Sequence, residues 1–252
     1  MIEVVGVSKR FGDTQVLTDI NAVFQRGKVN QIIGKSGSGK SVLAKCIVGL
    51  HRPEEGRVLY EGRSFHEMSD DEKRSVRQEI GMLFQGAALF DSLTVLENVM
   101  FPLRMFASMS KSEMEDRAHV CLKRVNIVDK DRLFPAELSG GMQKRVGIAR
   151  AIAMNPKYLF CDEPNSGLDP QTSIVIDDLI KEITEEFGTT TIVITHDMNS
   201  VMETGENILF IHKGRKWWQG GREDLLTSDN KELNEFIFAS SLMRQVKKAL
   251  GH

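Results

Sequence analysis

Residues 34–41 of this 252-residue chain read Gly-Lys-Ser-Gly-Ser-Gly-Lys-Ser, the complete form G-x-x-x-x-G-K-[ST]. An apolar, β-rich run at 29–33 precedes this phosphate loop, and a run of helical composition from Ser41 to Leu50 follows it. That order lets backbone N–H groups of the loop and of the helix N-terminus converge on the phosphates of a nucleotide. Glycines are needed because a side chain would block close approach of the backbone to phosphate. Lys40 is placed to reach the β- and γ-phosphates, and Ser41 to hold Mg²⁺.

A second glycine-rich segment, the signature segment, lies far downstream at 138–142 and reads Leu-Ser-Gly-Gly-Met. A helical pattern runs from it to Asn155 and Pro156. A serine and two glycines at a helix N-terminus form another anion site, because the free N–H groups and the positive end of the helix dipole lie there. A chain with two separated phosphate sites either binds two anions or completes its site with another copy of itself.

Two carboxylates, Asp162 and Glu163, end a short apolar strand that begins at residue 157. Asp162 is placed to enter the shell of a magnesium ion, and Glu163 is placed to polarise an attacking water. Further along come Asp169 and, after another apolar strand, His196. A histidine at the carboxyl end of a parallel strand lies where α/β proteins bind ligands.

In this order and with these flanking sequences, the motifs resemble those of the nucleotide-binding subunit of an ABC transporter along nearly the whole chain. The resemblance implies the α/β fold class, as a P-loop ABC-type ATPase domain with an antiparallel β subdomain and a helical subdomain. It implies one such domain over residues 1–252, with the helical subdomain at about 86–155 and a C-terminal helical tail at about 222–252. The cofactors that it implies are ATP and Mg²⁺.

The resemblance also assigns roles to the matching residues. It implies that Glu163 is the general base, that His196 contacts the γ-phosphate and orients the base, and that Gln85 relays the state of that phosphate. It gives the magnesium ligands as Ser41, Gln85 and Asp162. It gives the nucleotide contacts as Phe11, Val16, Ser36, Gly37, Ser38, Gly39, Lys40, Ser41, Val42, Ser139, Gly140, Gly141 and Asp169.

Four positions depart from the family's commonest form. Phe11 stands where a tyrosine is frequent; its ring either stacks on the adenine or packs in the core. Met142 replaces the usual glutamine, which either weakens contacts to a partner's nucleotide or marks a subfamily. Asn165 stands where threonine is more frequent, and Lys35 adds a cation that is expected to be solvated.

Composition argues against several other classes. The net charge of −2 favours neither nucleic acid nor an anionic membrane surface. No apolar run reaches the ~18 residues of a membrane span, and no leader pattern opens the chain. Cys46, Cys121 and Cys161 lack metal-ligand spacing, so we expect reduced thiols. These observations predict a cytoplasmic protein, which a transporter partner would hold on the inner face of the cell membrane.

Periodicity predicts the secondary structure. Residues 2–33 are rich in strand formers, and helices are expected near Leu93–Phe106, Ser112–Val125 and Asp131–Phe134. A further helix, Glu232–Leu250, is expected to pack either on its own domain or on a second subunit. Trp217 and Trp218 either cover a sheet edge or meet a partner.

In the family, residues such as Ser139–Gly141 belong to the other site of a head-to-tail dimer. The resemblance therefore implies a homodimer with C₂ symmetry that holds two ATP molecules and opens when the γ-phosphate is lost. Since the chain has no membrane segment of its own, a separate integral membrane permease is the expected partner, and nucleic acid is not.

Residues 82–104 resemble, more narrowly, the ATPases of Mla/Mce-type phospholipid transporters. This resemblance implies lipid transport, with an Mce-domain lipid-binding protein and a small accessory subunit as further partners. Apolar residues of the helical insert are expected to form either a groove for a permease helix or the insert's own core: Ala87, Leu89, Phe90, Met100, Met105, Phe106 and Met109. The alternative function is a soluble ABC-type ATPase of iron–sulfur cluster assembly, which shares every catalytic motif.

Overall fold

A computed structural model of the chain describes residues 1–239. Within them the strands are β1 Ile2–Phe11, β2 Thr14–Phe24, β3 Lys28–Ile33, β4 Glu55–Tyr60, β5 Arg63–Ser64, β6 Ile80–Leu83, β7 Tyr158–Asp162, β8 Thr190–Thr195, β9 Asn207–His212 and β10 Arg215–Gly220. The α-helices are α1 Lys40–Ile47, α2 Asp70–Gln78, α3 Val95–Phe106, α4 Lys111–Arg124, α5 Gly140–Ile152, α6 Pro170–Phe187, α7 Met198–Thr204, α8 Arg222–Thr227 and α9 Lys231–Ile237.

The chain divides into two compact units. The first unit comprises Met1–Gln25, Val29–Met68 and the described residues from Ile194 onward. The second unit comprises Arg26–Lys28 and Ser69–Val193.

An antiparallel sheet in the first unit has the strand order β2-β1-β4-β5. β1 and β2 form a long hairpin whose register runs from Ile2 opposite Phe24 to Phe11 opposite Thr14. Alternating β-branched and aromatic residues build these strands because such side chains pack well on a pleated surface with one buried face. The side chains of Ile2, Leu17 and Phe24 are fully buried.

Parallel pairing in the first unit brings β3 and β9 together, with Asn30 opposite Asn207 and Ile33 opposite Phe210. β9 turns back into β10, which pairs with it antiparallel. All residues of β3 from Val29 to Ile33 are buried, as expected for a parallel strand covered on both faces. The phosphate loop therefore leaves the carboxyl end of a fixed, buried strand.

The described part of the C-terminal region belongs to the core of the first unit. Leu225 of α8 and Leu233 and Ile237 of α9 are buried in one cluster with Ile33 and Phe210. The predicted helix Glu232–Leu250 is thus observed up to Ile237 and packs on its own unit; its residues from 240 onward lie outside the described part.

The two tryptophans lie on β10. Trp218 packs against the cluster formed with α9. Trp217 donates its indole N–H to Glu232 Oε2 at 3.0 Å, and its ring lies beside that of His212. Both side chains therefore serve packing of β10 against α9.

The second unit joins a parallel strand pair to a group of helices. β6 and β7 pair from Ile80 opposite Tyr158 to Leu83 opposite Cys161. α3 and α4 occur where helices were predicted, and each begins with a capping box, Thr94 with Glu97 and Ser110 with Glu113.

The helix predicted at Asp131–Phe134 is wrong. This segment is a turn, and a short 3₁₀ helix follows at Pro135–Glu137. The carbonyls of Asp131 and Leu133 accept the N–H groups of Leu96 and Val95 at the start of α3, so they are unavailable to a helix of their own. Pro135 also disfavours helical backbone at the residue before it.

No helix among residues 1–239 is long and apolar enough to cross a membrane. Cys46, Cys121 and Cys161 are buried free thiols. Burial raises the pKa of Cys161 to about 12 and that of Cys46 to about 11, so both remain protonated near neutral pH.

Candidate functional site

The phosphate loop carries the backbone geometry that its glycines predict. Gly34, Gly37 and Gly39 have φ angles of 151°, 76° and 104°, a region that other residues rarely adopt. Gly39 directly precedes α1, so the N–H groups of that helix point into the loop.

The contacts of the Lys40 and Ser38 side chains indicate which ligand the phosphate loop binds. The Lys40 side chain is buried, and its Nζ donates to the carbonyls of Gly34 and Lys35 at 2.8 and 3.2 Å. Ser38 is 7% exposed, and within residues 1–239 its Oγ has no hydrogen-bond partner. A buried hydroxyl without a partner costs free energy. A phosphate oxygen in the loop would supply one, so these residues fit a nucleoside triphosphate.

Close packing fixes the loop in place. A Cβ at Gly34 would lie 2.3 Å from the Ile211 carbonyl oxygen, and one at Gly39 would lie 2.7 Å from Leu17 Cδ2. Gly214, in the turn between β9 and β10, donates its N–H to the Ser38 carbonyl at 3.2 Å. Any side chain at Gly34 or Gly39 would therefore displace the loop.

Both predicted base contacts lie on the hairpin of β1 and β2. Phe11 ends β1 and is 45% exposed, so it is not a core residue. The His51 ring meets it edge-on at 5.3 Å, and the Lys9 ammonium lies 5.1 Å from its centroid. The Val16 carbonyl oxygen would be 3.2 Å from a Cβ on Gly39, which places Val16 beside the phosphate loop.

The remaining predicted residues of the first unit flank secondary-structure ends. Ser36 and Ser41 are exposed, and Val42 is half-buried in the first turn of α1. His196 is exposed and follows β8 directly, while Asp197 caps α7 by accepting the N–H of Asn199 at 2.9 Å. Lys35 is exposed, as expected for a solvated cation.

In the second unit, Asp162 ends β7 and Glu163 begins a turn. Glu163 has φ 48°, an uncommon value for a non-glycine residue and one that is frequent at functional sites. Its carbonyl accepts the N–H of Ser166 at 3.1 Å. Asn165 is buried and donates to Asp177 Oδ2 on α6 at 2.9 Å. We call residues 163–168 the catalytic turn.

Gln85 contacts the catalytic turn. It is exposed beyond the end of β6, and its Nε2 donates to Ser166 Oγ at 3.3 Å. The structure thus brings two of the predicted catalytic residues, Gln85 and Glu163, to neighbouring loops of one unit.

The signature segment begins α5 as predicted. Ser139 is the N-cap, and its Oγ accepts the N–H of Met142 at 3.3 Å. A Cβ on Gly141 would lie 2.5 Å from Thr172 Cγ2, so packing against α6 requires that glycine. For Gly140 the nearest atom in the described part is Leu168 Cδ2, at an ordinary 3.7 Å. Packing within the described part therefore gives no reason for glycine at position 140.

Asp169 serves as the N-cap of α6. Its Oδ1 accepts the Thr172 N–H at 3.0 Å, and its Oδ2 accepts the Thr172 hydroxyl at 2.6 Å. These hydrogen bonds hold the pKa of Asp169 below its usual range. The observed contacts of this carboxylate are thus structural.

The expected magnesium ligands contain one carboxylate. Mg²⁺ is usually held by one or two carboxylates together with substrate phosphates and water, so Ser41 and Asp162 suit it as protein donors. Within residues 1–239, no three His, Cys, Asp or Glu side chains form a group that could hold a metal by themselves.

One residue near the candidate site was not predicted. Lys144 on α5 is 5% exposed, and its Nζ donates to the backbone carbonyls of Gln85 and Glu163. A lysine in the middle of a helical pattern gives no local signal of burial, and its contacts join segments that are far apart in sequence.

Several known proteins are similar in sequence to this chain. The family model described as ABC transporter matches residues 17–166. A probable ribonucleotide transport ATP-binding protein, mkl of Mycobacterium leprae, is 37% identical over 236 residues, which are 94% of this chain and 68% of that protein. The methionine import ATP-binding protein MetN of Desulfitobacterium hafniense is 41% identical over 239 residues, which are 93% of this chain and 70% of that protein.

A solved protein structure is also similar to the structure of this chain. A dimeric ATP-binding cassette, described as a post-hydrolysis state bound to ADP and Pi, superposes with a TM-score of 0.80 at 36% identity. The superposition covers 88% of this chain and 99% of that one.

The phosphate loop and the α/β fold define a P-loop nucleotide-binding protein. Together with the family match, they show that the chain belongs to the ABC transporter family. The predicted fold class, the class of enzyme and the cofactors ATP and Mg²⁺ are confirmed, since they are those of ABC ATPases. The chain spans between 59% and 75% of the length of the curated relatives. The iron–sulfur alternative is not supported, because the relatives' names describe transport.

Proposed function

We propose that this chain is the ATP-hydrolysing motor of an ABC transporter that moves phospholipid or another lipid through a separate membrane permease. The buried Ser38 hydroxyl, which has no hydrogen-bond partner within residues 1–239 and lies beside Lys40 in a complete phosphate loop, is the observation that carries the ATP-binding part. The resemblance of residues 82–104 to Mla/Mce-type ATPases supports the lipid part.

For the chemistry, we propose one role for each group. Lys40 and the N–H groups of the phosphate loop neutralise the β- and γ-phosphates, and Glu163 accepts a proton from the attacking water. Ser41 and Asp162 would hold Mg²⁺, with Gln85 as a further ligand; when bound, the ion neutralises charge that develops on the phosphates. His196 orients the base and the water, and Phe11 and Val16 contact the adenine.

The working assembly that we propose is a homodimer. Ser139, Gly140 and Gly141 would contact the nucleotide of a second copy, and the room beside Gly140 supports this role. The γ-phosphate then holds the two copies together, and hydrolysis releases them. In the cell the dimer would lie on the cytoplasmic face of the membrane, held there by the permease, with an Mce-domain protein and a small accessory subunit as further partners.

Four large apolar side chains that would suit a permease contact are exposed around Gln85 and at the end of α3. Phe84, Phe90, Met105 and Phe106 are 41%, 42%, 59% and 52% exposed. Ala87 and Met100 are each 1% exposed and belong to the core, which was one of the two alternatives for them. Leu89 and Met109 are half-buried. The candidate permease contact therefore has fewer residues than the sequence offered, and it includes Phe90.

Glu163→Gln tests the hydrolytic role. A general base typically contributes ~10²–10⁴-fold in rate, so this variant should lose nearly all turnover while it still binds ATP. Lys40→Ala should instead weaken ATP binding itself. Turnover is measured by phosphate release, and binding with a fluorescent ATP analogue. Retention of most turnover by Glu163→Gln would refute the assignment.

Affinity capture from native membranes tests the cargo and partner. The unmodified chain should recover an integral permease together with an Mce-domain protein and co-purifying phospholipid. Phe90→Asp should remain folded and lose the permease, because burying a carboxylate in an apolar contact is costly. Phe187→Asp is the matched control, since Phe187 is 38% exposed at the end of α6. A permease recovered with a solute-binding protein and no lipid would overturn the lipid assignment and leave the motor intact.

A further inference from the structure

Lys144 lies where two loops of the second unit meet. It is the fifth residue of α5, the helix that the signature segment begins, and its side chain is 5% exposed. Its Nζ donates to the backbone carbonyl of Gln85 and, at 3.2 Å, to that of Glu163. One ammonium group thus joins the loop that follows β6 to the loop that follows β7.

The loops that it joins also contact each other through side chains. Gln85 Nε2 donates to Ser166 Oγ at 3.3 Å, and Ser166 N–H donates to the Glu163 carbonyl at 3.1 Å. Lys144, Gln85, Ser166 and Glu163 therefore form a closed ring of hydrogen bonds. The ring holds Glu163 at its uncommon φ of 48°.

A buried ammonium group remains charged only where neighbouring groups stabilise its charge. Burial lowers the pKa of Lys144, and the negative charges of Asp162 and Glu163 oppose that shift. The cation therefore lies in the electrostatic field of both carboxylates to which the mechanism gives a role. An apolar side chain in its place would remove a donor from the carbonyls of Gln85 and Glu163.

We propose that Lys144 is a positioning residue for ATP hydrolysis, which fixes the Gln85 backbone and the Glu163 backbone relative to each other through its two carbonyl contacts. The inference rests on the proposed roles of Glu163 and Gln85. In this proposal Lys144 acts through the direction in which the Glu163 carboxylate points. A misplacement of about 1 Å of a catalytic group can cost about 10²-fold in rate.

The test compares Lys144→Met, which keeps the length of the side chain and removes its donors, with Lys144→Arg, which keeps charge and donors. Lys157→Met is the control, because Lys157 bonds Glu79 Oε1 on the surface of the same unit. Each full-length variant is assayed for kcat and KM of MgATP hydrolysis and for melting temperature. If the methionine variant does not fold, Lys144→Ala, which also has no donor, takes its place in every arm.

Lys144→Met is expected to lower kcat by about 10- to 100-fold with KM changed by less than about 2-fold, and Lys144→Arg to restore part of the rate. The decisive comparison uses Glu163→Gln as background. If Lys144 acts through Glu163, the double variant should have the same residual single-turnover rate as Glu163→Gln alone.

Three results would overturn the proposal: an unchanged kcat in Lys144→Met, an equal loss in Lys157→Met, or a further loss of the same size in the Glu163→Gln background. The last result would show that the Lys144 substitution lowers the rate by disturbing folding, and that it does not act through Glu163. A fully active Glu163→Gln would instead refute the proposed base, which separates the two failures.

Discussion

Asn98 is a buried polar residue that holds the segment 90–94 before α3. It is fully buried on α3. Its Oδ1 accepts the Phe90 N–H at 2.8 Å, and its Nδ2 donates to the carbonyls of Phe90, Leu93 and Thr94 at 3.1, 3.0 and 3.0 Å. We predict that Asn98→Leu, which keeps the volume and removes these bonds, loosens the segment 90–94.

The size of the stability loss follows from which hydrogen bonds each backbone group keeps in Asn98→Leu. The Thr94 carbonyl still accepts the N–H of residue 98, and the Phe90 carbonyl still accepts the N–H of Leu93. The Phe90 N–H and the Leu93 carbonyl lose the bonds that Asn98 gives them. At about 1–3 kcal/mol for each of these two groups, the loss of stability is roughly 2–6 kcal/mol. At roughly 2–4 °C per kcal/mol for a chain of this size, Tm should fall by roughly 4–24 °C.

Thermal unfolding followed by circular dichroism measures this loss, and limited proteolysis shows whether cleavage within 90–94 becomes faster. Asn199→Leu is the control, because Asn199 is exposed on α7. A melting temperature within about 2 °C of that control, with an unchanged cleavage pattern, would refute the reasoning.

Three further outcomes are expected. Gly34→Ala should abolish binding of a fluorescent ATP analogue, since the added Cβ would lie 2.3 Å from the Ile211 carbonyl oxygen; normal binding would contradict the loop packing. Phe11→Ala should raise KM for ATP by about 2- to 10-fold and leave kcat unchanged, because one aromatic stacking contact is lost; an unchanged KM would exclude base stacking. Asp169 has a lowered pKa in the folded chain, so its capping contribution is present above the ordinary aspartate pKa and is lost as pH falls through the folded value. Asp169→Asn should therefore show a smaller fall in Tm than the unmodified chain between pH 6 and pH 3, and equal falls would contradict that role.

The parts of the fold that depend on neighbouring residues were predictable from sequence. The phosphate loop is one, since its glycines, Lys40 and the flanking strand and helix are contiguous. The start of α5 is another, because Ser139 stands directly before a helical pattern.

Features that depend on distant contacts were not predictable. The segment 131–134 was expected to be helical, and it forms a turn instead because the first N–H groups of α3 bind its carbonyls. Ala87 and Met100 were expected in either a partner groove or the insert's core, and tertiary packing places both in the core. The ring around Lys144 joins residues 85, 144, 163 and 166, and no spacing in the sequence indicates it.

Nucleotide-dependent dimerisation tests the central claim most directly. Glu163→Gln protein is run on size-exclusion chromatography with light scattering, once with ATP and Mg²⁺ and once with ADP and Mg²⁺. We predict that this protein is a dimer with ATP and a monomer with ADP. Glu163→Gln with Gly140→Asp should stay monomeric in both, because the added Cβ would lie at an ordinary 3.7 Å from Leu168 Cδ2 in its own unit, while the carboxylate would repel a partner's γ-phosphate. The same mass with both nucleotides, whether monomer or dimer, would contradict a motor that closes on ATP.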